Sequence, residues 1–106
     1  MTRKLAFICS RYAGDTDLDV ERNVMRARAL CRMAVDDGYT PIAPHLLYPQ
    51  FMSEKTERDL GIEMGLQLLE LCDIMFIDAA RIISGGMQAE IEYAKAWDAE
   101  QRWINE

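Results

Sequence analysis

Three short apolar runs, each followed by a polar loop and a helical stretch, predict an α/β domain. The expected architecture is flavodoxin-like or Rossmann-like, with three layers around a short parallel sheet. Two observations carry this reading. The first and third runs are apolar without alternation, as strands covered on both faces are. The order βαβαβα with short connections also implies right-handed crossovers, which make the strands parallel.

Lys4–Cys9 reads as the first strand, apolar from Leu5 onward. Residues 10–16 form a polar loop containing Gly14, and Asp17 or Asp19 then caps a helix. Its apolar stripe runs Val20, Val24, Ala27, Cys31 and Ala34, and Gly38 stops it. Residues 39–43 are a second, short strand, with Pro41 pointing to a sheet edge. Residues 44–50 hold two prolines and read as irregular loop. A second helix follows from Ser53, carrying Leu60, Met64, Leu68 and Leu71 inward. Residues 73–78 are the third strand, and the last helix runs from 86 to about 103.

At 106 residues the chain is read as one domain, 1–106. Half its residues are hydrophobic and 28% are charged, an ordinary globular balance. The net charge of −6 argues against binding to nucleic-acid backbones, which takes clustered Lys and Arg. No apolar run nears the roughly 20 residues that span a bilayer, so no membrane partner is expected. The opening Met1-Thr2-Arg3-Lys4 enters a strand and not a signal sequence, and a cytoplasmic location is expected. Cys9, Cys31 and Cys72 lack paired spacing and lie among apolar residues, as reduced buried thiols do. A sheet of three strands has open edges, which predicts a homo-oligomer.

In parallel sheets ligands bind outside the carboxyl ends of the strands. Three loops leave those ends here, and the chemistry-bearing residues fall in them. Ser84, Gly85, Gly86 and Met87 lie between the third strand and the last helix. Free N–H groups at such a helix start suit an anion, glycine lets a ligand approach, and a Ser hydroxyl adds a donor. Glu90 follows one turn into the helix, at the margin of its inward face. Either it complements the helix dipole or it reaches the cleft to do chemistry. The helix start is also expected to favour its ionised form. Arg11 and Tyr12 of the first loop can grip a phosphate and stack on a base, or can be solvated and packed. His45, the only histidine, can contact ligand but cannot make a metal site alone. Asp78 can bind sugar hydroxyls, whereas Asp73 caps the strand entrance. Trp97 and Trp103 are expected in a core or a subunit interface. Neither a metal nor a cofactor is implied.

The pattern Ser84-x-Gly86-x-x-x-Glu90, after a strand ending in Asp78, resembles the nucleoside 2-deoxyribosyltransferase superfamily and its nucleotide N-glycosidase relatives. More narrowly, the chain resembles a small uncharacterised domain-of-unknown-function family found in bacteria and their phages. The segments carrying this are Phe7-Ile8-Cys9-Ser10-Arg11-Tyr12-Ala13-Gly14, Pro41-Ile42-Ala43-Pro44-His45-Leu46 and Ser84-Gly85-Gly86-Met87 with Glu90-Ile91. The resemblance implies a small nucleotide or nucleoside as ligand, with Glu90 as the nucleophile on the anomeric carbon. It implies Ser10 and Ser84 as contacts to phosphate or sugar. The activity implied is hydrolysis or transfer at an N-glycosidic bond; the alternative is a binding or sequestering module without turnover. Two departures stand out. Gly65 occupies a position where the relatives carry an Asp, leaving Glu63 or Asp59 as substitutes, and the further strands of the relatives are not legible after the third.

Overall fold

A computed structural model describes residues 2–106. The chain alternates β1 (Lys4–Cys9), α1 (Asp17–Asp36), β2 (Tyr39–Ile42), α2 (Pro44–Leu47), α3 (Arg58–Leu69), β3 (Ile74–Asp78), α4 (Gly85–Ala96) and β4 (Glu100–Ile104). A 3₁₀ turn, Tyr48–Gln50, follows α2. The four strands form one sheet in the order β2-β1-β3-β4, parallel at every pairing. The α/β expectation therefore holds, with the strand order of a flavodoxin-like sheet.

Alternation along the central strands sorts the core into two halves. Ala6, Ile8, Ile74 and Phe76 face Leu30 and Ala34 of α1. Phe7, Cys9, Met75 and Ile77 face Leu69 of α3 and Met87, Ile91 and Ala94 of α4. Helices thus cover both faces, which explains why β1 and β3 read as unbroken apolar runs. Asp73 ties the strand entrances together: its Oδ2 accepts the Leu5 N–H at 2.9 Å, and its own N–H donates to Leu5 O.

The termini of α1 follow from local chemistry. Thr16, not Asp17 or Asp19, is the N-cap, its Oγ1 accepting the Asp19 N–H at 3.1 Å. Gly38 leaves the helix with φ +94°, a conformation that glycine adopts without strain. Ala27, Leu30 and Ala34 are buried with Asn23, while Val20, Val24 and Cys31 are half-buried.

Four expectations are corrected. The last helix stops at Ala96, and residues 100–104 form a fourth strand. β3 is buried at every position, so both of its backbone edges need partners; β1 satisfies one and β4 the other. Asp98, in the left-handed region at φ 55°, turns the chain between α4 and β4. The proline-rich stretch after β2 is not irregular, since Pro44 and Pro49 sit in the first turns of α2 and the 3₁₀ turn, where a missing N–H costs nothing. α3 begins at Arg58, after a turn at residues 53–57. It buries Gly65 and Leu69, leaving Leu60 and Leu71 at 45% and 65% exposure. Of the two places expected for Trp97 and Trp103, a core or a subunit interface, the core is ruled out, since both are about half-exposed. Among the described residues no helix is long and apolar enough to cross a membrane.

Candidate functional site at the carboxyl edge of the sheet

The strand order reverses between β1 and β3, so the loops leaving them diverge and open a crevice. The chain fills its rim with α2, the 3₁₀ turn and the start of α3. The resulting cleft holds about 330 Å³ and is lined from all three carboxyl-end loops. Ser10, Arg11, Tyr12, His45, Ser84, Gly85, Gly86, Met87 and Glu90 all line it. Nine residues chosen from separate stretches of sequence are therefore brought together. Asp78 is the exception. It lies buried outside the cleft lining, with Oδ1 3.2 Å from Arg26 Nη2 and accepting the Ala80 N–H at 3.2 Å.

α4 starts one residue earlier than expected, with Ser84 as its N-cap. Ser84 Oγ accepts the Met87 N–H at 3.2 Å, which leaves the hydroxyl proton free to donate. By position the first-turn N–H groups of Gly85 and Gly86 have no acceptor within the helix. Arg58 hangs over this helix start: a Cβ on Gly86 would meet Arg58 Nη2 at 3.8 Å. Its Nη1 donates to Glu54 Oε1 at 3.0 Å. Arg11, Arg58, Ser84 and the helix start thus put hydrogen-bond donors in the cleft lining, with Glu54 paired to Arg58. Pro44, Tyr48, Pro49, Met52 and Ile62 give it an apolar wall.

Glu90 lies in the second turn of α4, in contact with the Cys9 thiol at the end of β1. Burial pushes its carboxyl up to about 7, and the thiol hydrogen bond offsets part of that rise. The expectation that the helix start would hold Glu90 ionised is corrected here. The dipole fades within the first turn, whereas the burial of the Glu90 carboxyl in the cleft wall penalises its charged form. Cys9 is buried, its thiol donating to Met87 O at 3.7 Å and pushed far up by burial and the nearby Glu90 carboxylate, so it is not a nucleophile. Also in the cleft lining, Ser10 Oγ lies 2.8 Å from His45 Nε2. Burial lowers His45 to about 4, making it a neutral imidazole at physiological pH.

Sequence reasoning missed Arg58, Glu54 and Glu57. The Glu54–Arg58 spacing of four residues was the available signal, but it reads equally as a surface helix pair. The carboxylates that line the cleft in this region are Glu54 and Glu57, whereas Asp59 and Glu63 are exposed and outside its lining. Gly65 also lines the cleft, and a Cβ there would rest 4.0 Å from Pro44.

Among solved structures, the chain is similar to a 2-deoxyribosyltransferase from Leishmania mexicana, with TM-score 0.58 and 19% identity. The match covers 95% of this chain and 63% of that one, so this chain spans under two thirds of its neighbour. At that identity the likeness establishes the fold. No curated protein matches the sequence. The model of one family aligns with residues 4–104, nearly the whole chain, and the protein therefore belongs to the family described as Domain of unknown function (DUF7768).

Proposed function

We propose that this protein binds a nucleoside or nucleotide in the cleft and breaks or transfers its N-glycosidic bond, with Glu90 as nucleophile. The observation that supports this best is a half-buried carboxylate in a cleft that Arg11, Arg58 and the glycine-rich start of the same helix also line. The name of the Leishmania neighbour is consistent with the reading. A phosphate or sugar hydroxyl fits the donor side, and a flat base fits the wall of Tyr48, Met52 and Ile62. Attack by Glu90 on the anomeric carbon forms a C–O ester as the C–N bond breaks, its electron pair leaving with the base. The base takes up a proton as it leaves. Water then hydrolyses the ester to free sugar, or a second base accepts the glycosyl group. With Gly65 at the position where an Asp stands in the relatives, and with Glu54 the ionised partner of Arg58, that proton comes from water in the cleft.

That same glycine favours a second reading, a module that holds its ligand without turnover. Chromatography decides between them across a panel of deoxynucleosides and nucleoside monophosphates. Wild type is expected to release free base, and Glu90→Gln to bind ligand but release none over hours. Base release by Glu90→Gln at the wild-type rate would overturn the mechanism. Intact ligand recovered from wild type that it stabilises against heating would establish the binding module.

A further inference from the structure

On the α1 side of the switch point lies a buried polar cluster that the mechanism does not use. Asn23 is 1% exposed, and its Nδ2 donates to two main-chain carbonyls, Tyr12 O at 3.0 Å and Ala13 O at 3.2 Å. Two acceptors on one nitrogen also settle which end of the amide carries the protons. One turn along α1, Arg26 pairs with Asp78 at the end of β3, and Asp78 holds the Ala80 N–H of the next loop. We propose that Asn23, backed by the Arg26–Asp78 pair, is a positioning residue that fixes the β1–α1 loop and so places Arg11 and Tyr12 in the cleft.

The physical case rests on what the loop otherwise lacks. Residues 11–15 belong to no helix or strand, and among the described residues the Tyr12 and Ala13 carbonyls have Asn23 as their hydrogen-bond donor. Gly14 draws the loop tightly onto α1, since a Cβ there would come 2.5 Å from Asp19 Cβ. A buried amide in a helix interior is costly unless its hydrogen bonds matter, because Asn is a poor helix former and alanine would fill the position. Asp78 receives the same explanation: it joins the two loops beneath the cleft and does not meet ligand.

The test is ¹⁵N relaxation of the ligand-free protein, with Asn23→Ala and Asn23→Asp as variants. Asn23→Asp keeps the shape but has no proton to donate to the two carbonyls. In wild type the Arg11–Ala13 amides should have order parameters of about 0.85, and the Asn23 side-chain amide protons should exchange slowly. In both variants the order parameters of residues 11–13 should fall below about 0.6 while those of β1, β3 and α4 stay unchanged. If Asn23→Ala does not fold, Asn23→Asp decides alone. A loop as rigid in Asn23→Asp as in wild type, or disorder spread evenly over the chain, would overturn the proposal. One further consequence rests on the function proposed above. Asn23→Asp should raise KM for a deoxynucleoside monophosphate about tenfold, the size expected for two lost hydrogen bonds, with kcat much less altered because Glu90 stands on another element. Without turnover in wild type that arm fails while the relaxation result stands.

Discussion

Glu90 and His45 titrate in opposite directions, and the cleft makes both do so. Burial favours the neutral form of each, raising Glu90 to about 7 and lowering His45 to about 4. For Glu90 the raised value means stability that is full below the unfolded value of ~4.3 and is lost as pH rises toward 7. For His45 the lowered value means stability that is present above ~6.5 and is lost as pH falls toward 4. Glu90→Gln should therefore raise Tm at pH 8, by roughly 2–3 kcal/mol of stability, and change it little at pH 4. Calorimetry at the two pH values checks this, and an equal shift at both would contradict the buried, ionising carboxylate. A nucleophile must be ionised, so glycosidic activity is expected to climb with pH through about 7.

At the scale of the element, α4 links stability to ligand. Ser84→Ala removes the N-cap acceptor for Met87 and should cost about 1 kcal/mol in denaturant unfolding. Combined with Arg11→Ala, it should abolish the stabilisation that a phosphate-bearing ligand gives, about 2.7 kcal/mol at 100 times Kd. A thermal shift unchanged in the double variant would place the anion elsewhere. The turn after α4 offers a check of a different kind. Asp98 holds φ 55°, where a side chain is strained, and Asp98→Gly should stabilise by about 0.5–1 kcal/mol. A lower Tm for that variant would show that the Asp98 side chain has a role beyond its backbone angle.

The whole molecule is a four-stranded sheet whose outer strands, β2 and β4, each leave one edge unpaired within the chain. Trp103 on β4 and Trp97 just before it are about half-exposed. We keep self-association as a proposal on that basis, with a dimer or larger ring the expected outcome of light scattering at micromolar concentration. A stable monomer would overturn it. Trp103→Lys, which places a charge on the edge, should shift any such assembly toward monomer without unfolding the sheet.

The sequence by itself determined the layers, the parallel sheet and most of the cleft. Covered strands must be apolar on both faces, so β1 and β3 were legible as runs. Ligand loops of such sheets lie at carboxyl ends, so His45, Ser84 and Glu90 could be named from their places in the strand order, and Ser10 from the family resemblance of its segment. Tertiary structure decided the rest, where a side chain's role depends on partners distant along the chain. Residues 100–104 carry no alternation of their own and became a strand because β3 had a bare edge. Arg58 entered the cleft because α3 packs beside the start of α4. Asp78 left it because Arg26, more than fifty residues earlier, holds it on the other face of the sheet. The carboxyl of Glu90 was visible in the sequence, but its proton affinity was not, since burial sets that affinity and the folded cleft alone supplies it.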